Sequence, residues 1–494
     1  MAGCRASCRG PGICPPSSPG RPRSRPRSRG GSPAGPPDLA PAGRTGHRWE
    51  SADGRERVAA MVSQVRAVGA LLLGSFFLLV AGGINGLILP VRGAAEGFSA
   101  LWLGLLGTGW AAGYVAGCLL TSRLVARVGH IRTFAVMASV AAIAILAQLL
   151  FLTPEAWVPL RAVSGFCFAG AAMVVESWLG ERAEPSTRGR IFGLYTMVNL
   201  TGVMAGQLVL PFGDTTGYVF FVLAAMFYAL SVLPPALTTS ASPQPLVEVR
   251  LDPAGLWRTS PVAVFAAAML GLSNGAFGTL APVYGERVGL TLGEIALFAS
   301  LPILAGALAQ IPVGYLSDRI DRRKVLVAVT LLALAAEAGF LLLVPDTGQL
   351  NLLLAAALGA AIFAIYPIVV AHANDNATGN YIQVSGGLLM VFGLGSMVGP
   401  LVAGLLMRGT GPTGLFAAMA GAHAAMAVFA VIRIFQRAAP ATADKVDFVP
   451  APIPRTTTPE GIALGATDAA RDEEFGPEAL GGPLPEARER DQPR

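Results

Sequence analysis

Between residues 66 and 434 this chain returns repeatedly to unbroken apolar runs. Each is about 20 residues long, the length a helix needs to cross the hydrocarbon core of a bilayer. Twelve such runs are read as spans 1 to 12: 66–90, 98–121, 132–152, 156–179, 190–211, 216–236, 261–283, 293–316, 324–344, 350–372, 380–407 and 412–434. The runs are continuous rather than alternating, which excludes a closed barrel of strands. Composition agrees with lipid as the main solvent. Only 13% of residues are charged and mean hydropathy is +0.57, whereas soluble domains carry about 25% charged residues. The fold class is therefore an all-α membrane protein with twelve transmembrane helices. Glycine recurs inside the spans, where small residues let helices pack closely in lipid.

The flanks are different. Residues 1–60, with "RPRSRPRSRGGSPAGPPD", are too rich in Pro, Arg and Ser to bury a core and read as a disordered tail. They lack the apolar stretch of a signal peptide. Met61 directly precedes "VSQVRAVGALLLGSFFLLVAGG" and reads as the true start. Residues 438–494 read as a second disordered tail.

Loop arginines set the expected orientation. With the N-terminus inside, the inner loops hold Arg123, Arg127, Arg132, Arg182, Arg188, Arg190, Arg250, Arg258, Arg319, Arg322, Arg323 and Lys324; the outer loops hold Arg92, Arg287 and Arg408. That asymmetry places both termini in the cytoplasm, and a bacterial inner membrane is the expected compartment. The net charge of +6 lies mostly in the N-terminal tail and short loops, so it does not point to nucleic acid. Of five cysteines, Cys4, Cys8 and Cys14 lie in that tail, while Cys118 and Cys167 sit in apolar runs. No metal-ligand spacing is visible, and no metal or cofactor is expected.

Other classes lack their motifs. Neither lysine, Lys324 nor Lys445, lies in a phosphate loop of an ATP-driven pump. No His-Glu-x-x-His marks a metalloprotease, and His372 and His423 are alone in their spans, unlike paired haem ligands. No re-entrant filter of a channel is evident.

The hairpin between spans 8 and 9 reads "GYLSDRIDRRK", with six charges in the seven residues from Asp318 to Lys324. A shift of 192 residues lays it on "SRLVARVGHIR" at 122–132, and "GLT" at 289–291 on "GFS" at 97–99. Near-equal shifts pair Gly165 with Gly359, Gly202 with Gly395 and Gly206 with Gly399. The chain thus reads as two six-span halves, 61–236 and 261–437, joined by a cytoplasmic loop at 237–260. Paired halves around a central site are the architecture of many secondary transporters.

At these residues the chain resembles the major facilitator superfamily, whose loop signature is Gly-x-Leu-x-Asp-Arg-x-Gly-Arg-Arg. Gly314, Leu316, Asp318, Arg319, Arg322 and Arg323 match, and Asp321 replaces the second glycine. In the first copy Ser122 replaces the first glycine and Ala126 the aspartate, while Leu124, Arg127 and Gly129 remain. Arg161 and Gly165 match the family's Arg-x-x-x-Gly element of span 4, and "VVESWLGERA" with "RGRIFGLY" is similar to the YcaD-like branch. The resemblance covers roughly residues 61–437. It implies that the hairpin pins the halves together on the inner side when the transporter faces out.

Several contacts follow as expectations. Asp318 would cap span 5 of the other half near Arg188–Ile191. Arg322 or Arg323 would pair with Asp375, and Arg127 with Glu176 or Glu181. Such contacts, about 1–2 kcal/mol each, bias a nearly balanced equilibrium. A solvated turn that only fixes topology is the alternative. Arg161 is linked by the resemblance to proton coupling, against snorkelling near Pro159. Glu337 and His372 are the other proton-coupling candidates. Asn85 and Asn274, each in an Asn-Gly pair of spans 1 and 7, are cavity candidates or helix–helix contacts. Trp110, Tyr114, Tyr195, Asn199, Gln207, Gln310, Tyr366 and Gln383 are further cavity candidates. In span 11, Gly395, Gly399 and Pro400 resemble the Gly-x-x-x-Gly-Pro element that antiporters of this superfamily carry in span 5, and would allow close packing and a bend.

Together these features imply a secondary active transporter, acting as a monomer on a small-molecule substrate. Proton-coupled efflux of a small organic solute is the first reading. Uptake of a small polar nutrient is the alternative, and uniport or a non-transporting receptor on this scaffold remain open.

Overall fold

A computed structural model describes residues 68–181, 189–237, 254–345, 347–377 and 383–437, followed by 445, 448, 454, 456–459 and 461; the backbone is also described at 49–67, 182, 188, 253 and 381–382. The described chain holds thirteen α-helices, one 3-10 turn and no strand. The helices are α1 Trp49–Ala95, α2 Ala100–Val128, α3 His130–Leu150, α4 Pro154–Arg182, α5 Arg188–Leu208, α6 Val219–Ala236, α7 Pro253–Thr259, α8 Pro261–Arg287, α9 Leu292–Arg319, α10 Arg322–Leu343, α11 Gly348–Asn374, α12 Tyr381–Thr410 and α13 Gly414–Gln436. Helices α1 to α6 and α8 to α13 are the twelve spans, each long and apolar enough to cross a membrane.

The helices overrun several of the apolar runs that revealed them. α2 continues to Val128 and α9 to Arg319, because charged residues outside the hydrocarbon are still good helix formers. What stops them is local. Gly129 adopts φ 84°, a left-handed conformation that glycine enters without strain, and its N–H closes the last turn on the Val125 carbonyl. At the matching turn of the second half the backbone differs: Asp321 has φ −53° and its carboxylate accepts from the Arg323 N–H, capping α10. Aspartate can therefore stand where the family signature has glycine.

The repeat is visible in the backbone. Gly97 and Gly289 have φ 80° and 81°, and the residues two places on, Ser99 and Thr291, each accept from a backbone N–H to cap the next helix. The paired glycines pack alike. A Cβ on Gly202 or Gly206 of α5 would strike α1, and one on Gly395 or Gly399 of α12 would strike α8. Gly165 likewise meets α2, and Gly359 meets α9. In each half, absent side chains let two helix backbones touch.

Two expectations shift. Helix backbone begins at Trp49, within the segment read as a structureless tail; residues 1–48 of that segment lie outside the described residues. In the joining segment α7 forms, and Trp257 packs on Phe429 of α13 with ring centroids 6.3 Å apart; 238–252 lie outside the described residues.

Candidate functional site

Successive spans run antiparallel, so the α2–α3, α4–α5, α9–α10 and α11–α12 loops share one face, here the basic face. The described contacts between halves lie toward the opposite face and the mid-plane. Gly104 and Gly107 of α2 meet the Pro400 carbonyl and Thr279, and Gly404 meets the Ala100 carbonyl. The Thr108 hydroxyl donates to the Met397 carbonyl at 2.7 Å, and the Ser300 hydroxyl to Gln207 Oε1 at 2.8 Å. Gly395, Gly399 and Pro400 thus sit where α12 packs on α8 and α2.

Behind these contacts lies a cavity of about 150 Å³ with walls from both halves. The first half contributes Trp110, Arg161, Phe168, Gln207 and Tyr228; the second contributes Asn274, Phe277 and Phe363. Arg161 is the charged side chain in its wall, not a residue snorkelling to an interface. Trp110 is stacked on Tyr114, ring centroids 5.2 Å apart.

Of the cavity candidates, Trp110, Gln207 and Asn274 line the wall. Asn85 instead donates to the Tyr228 hydroxyl at 3.3 Å within its own half, so the two asparagines do not have matching roles. Asn199 accepts from Ser75 at 2.8 Å, and Gln310 donates to the Phe363 carbonyl at 3.4 Å. Tyr366 is buried edge-on to Phe392. Tyr195 donates to Glu176 at 3.3 Å, while the Tyr114 hydroxyl donates to the Thr457 carbonyl. Gln383 is partly buried outside the cavity wall.

The proton-coupling candidates are scattered. Glu337 lies outside the cavity wall, with its Oε1 2.7 Å from His423 Nδ1 between α10 and α13, both side chains fully buried. His423, read as alone in its span, therefore has an acidic partner. Nothing in the local sequence signals a pairing 86 residues apart. His372 is buried at the basic-face end of α11, beside a small cavity that Arg323 also lines.

The hairpin forms half of the expected latch. Arg322 Nε lies 2.7 Å from Asp375 Oδ2, both side chains 1% exposed, and its Nη1 reaches Asp318 at 3.2 Å. Arg323 clasps Asp321 at 2.8 Å and donates to the Arg433 and Arg437 carbonyls. Burial pushes the Asp321 carboxyl up, but the bonds from Arg323 outweigh it and hold the group below its ordinary value. Arg319 stacks over the Tyr315 ring at 3.5 Å. The Arg322–Asp375, Arg322–Asp318 and Arg323–Asp321 pairs all join parts of the second half.

Asp318 accepts from the Phe448 N–H at 3.1 Å and pairs with Arg322, while the Arg188 side chain at the start of span 5 lies outside the described residues. One gate expectation is corrected. Arg127 is exposed and makes no described ion pair, while Glu176 is wholly buried and bonded by the tail instead. Glu181 is exposed.

Comparisons with known proteins agree with this arrangement. The model of the Major Facilitator Superfamily matches residues 71–291 and 263–459. An uncharacterized MFS-type transporter of Enterobacter sp. (strain 638) is 25% identical over 354 residues, covering 70% of this chain and 91% of that protein. The MFS-type transporter YcaD of Escherichia fergusonii is 25% identical, with 69% and 89% covered. Among solved structures, the nucleoside transporter NupG shares the fold at a TM-score of 0.64 and 14% identity, over 75% of this chain and 99% of that one. A bacterial homolog of the human lysosomal transporter Spinster, inward-facing and occupied, reaches 0.60 at 17% identity, over 76% and 98%.

Proposed function

This chain belongs to the Major Facilitator Superfamily, in its YcaD-like branch, and is a multi-pass membrane transporter rather than an enzyme; from that premise we propose proton-coupled efflux of a small organic solute by alternating access. The observation that carries this reading is the cavity walled by both halves, with Arg161 as its charged side chain. A guanidinium held in a low-dielectric wall favours a solute with an acidic or acceptor-rich group. Trp110, Phe168, Phe277 and Phe363 suit an apolar or aromatic body beside it. Two halves that separate on alternate faces expose such a cavity to each side in turn.

The loop arginines support a basic face toward the cytoplasm, in a bacterial inner membrane, with the monomer as the working unit. Uptake of a small polar nutrient is the second reading. Gln207, Asn274 and the Tyr228 hydroxyl favour it, because they offer hydrogen bonds to an uncharged solute.

Purified protein in liposomes with an imposed proton gradient tests the proposal. A panel of organic acids is first screened for thermal stabilisation, since a bound ligand raises apparent stability. Stabilising compounds should then move against the proton gradient. Arg161→Ala should lower their initial rate at least about tenfold, the scale of one lost charge-assisted contact, with Arg161→Lys intermediate. Full transport by Arg161→Ala would remove the cavity as the solute site. Solute running with the protons would make uptake the function.

A further inference from the structure

On the basic-face side of the cavity, the space between the halves, here called the vestibule, holds a segment of the chain itself. Beyond α13, Lys445 Nζ donates to the Ile320 carbonyl at 2.6 Å, and the Phe448 N–H bonds Asp318. The Phe448 ring lies on Gly314 so closely that a Cβ there would collide with it. These contacts hold the segment to α9 and its hairpin, in the second half.

Further along, the same segment grips the first half. Thr457 Oγ1 donates to Glu176 at 3.1 Å, the Thr458 N–H at 3.2 Å and the Gly461 N–H at 2.9 Å. The Thr458 hydroxyl donates to the same carboxylate, and the Thr457 carbonyl accepts from Tyr114. Thr457 and Thr458 are 1% and 0% exposed, and Thr456 forms part of the central cavity wall. A buried carboxylate is strongly unfavourable without donors. Apart from the tail, the described donor to Glu176 is Tyr195 alone. Threonine hydroxyls and free backbone N–H groups are what such a carboxylate requires, and this stretch brings both.

We propose that the segment bearing Lys445, Phe448, Thr457, Thr458 and Gly461 is an internal peptide ligand of the vestibule, which holds the halves apart on the basic face and leaves before they close there. A ligand that fits one of two conformations shifts the balance toward it. Being tethered, this one acts at an effective concentration on the order of millimolar. The expectation of a structureless tail at 438–494 therefore fails at these residues. Apart from 454, 456 and 459, the remainder of that stretch lies outside the described residues.

The docking itself is independent of any solute, so its test separates from that of the transport reading. The chain has two lysines, so an endoprotease specific for lysine reports on Lys445. In the full chain in detergent, Thr457→Ala with Thr458→Ala should speed cleavage after Lys445 about tenfold or more, as expected when a protected segment opens freely. Spin labels at Val128→Cys and Lys324→Cys, on a background of native cysteines changed to alanine, should give one long distance in the native tail. The double alanine variant should add a shorter population. Equal cleavage rates, or unchanged distances in the variant, would overturn the proposal.

Discussion

In the second half, Arg322 sits between Asp375 and Asp318, sealed from water, and Arg323 clasps Asp321 beside it. The shift of 192 that aligns the two hairpins lays Arg322 on His130, while the offset pairing Gly359 with Gly165 lays Asp375 on Glu181. His130 is buried, with Nε2 3.4 Å from the Ser177 hydroxyl, and Glu181 is exposed. Where one half holds a permanent cation against a buried carboxylate, the other holds an imidazole at that site. The unmatched carboxylate of the first half is Glu176, and tail threonines occupy it rather than an arginine. A duplicated fold thus preserves backbone geometry more faithfully than its charge pairs. Helix packing tolerates no change at a glycine contact, whereas a carboxylate accepts any donor of suitable reach.

The largest effect should come from breaking the sealed pair. Asp375→Ala removes the fully buried partner of Arg322, a loss of about 3–5 kcal/mol; the double change Arg322→Met with Asp375→Leu should restore most of it. Thermal melts in detergent compare them. Glu181→Ala, at the matching place, should stay within about 0.5 kcal/mol. A large loss there would make the halves alike after all.

Transport rates give the next test. Thr457→Ala with Thr458→Ala should raise flux severalfold, within the roughly 5–150-fold range of coupled sites. Asp318→Asn, which weakens both the Arg322 and Phe448 contacts, should alter turnover while leaving membrane insertion intact. An unchanged rate would remove any gating role for the hairpin. A smaller effect is expected from Ala126→Asp, which supplies the acid that the first copy lacks. Both Ala126 and Arg127 are exposed, so the gain should stay below about 1 kcal/mol, read as a slight rise in melting temperature.

The smallest concerns pH. Asp321 is held below its ordinary value in the folded chain, so its contribution is complete above the unfolded value of about 3.9. It fades as pH falls through the folded value. Asp321→Asn should therefore flatten the loss of melting temperature below about pH 4. A native and a variant curve that run parallel would show that Arg323 adds nothing there.

Much of this site was legible residue by residue. That Arg322 or Arg323 would meet Asp375 was legible, and packing selected Arg322; the turn at 97–99 was recognisable from its partner at 289–291. Arg161 was singled out as a costly charge, although its place in the wall was even with an interfacial one. Three features were hidden. Asn85 turned to Tyr228, Glu337 met His423, and the tail reached Glu176. Each depends on which way a side chain points around a helix that is apolar on every side, so no amphipathic stripe fixes its direction.

The sequence alone determined the number of spans and their approximate ends. Hydrocarbon has a set thickness and offers no hydrogen bonds, so each crossing must be a helix of sufficient length. It also determined the repeat, because glycines that admit a neighbouring backbone cannot easily be replaced. Only the tertiary structure decided which polar groups meet. Glu176 and Thr457 lie 281 residues apart, and nothing but the packed bundle brings a donor to a carboxylate that water cannot reach.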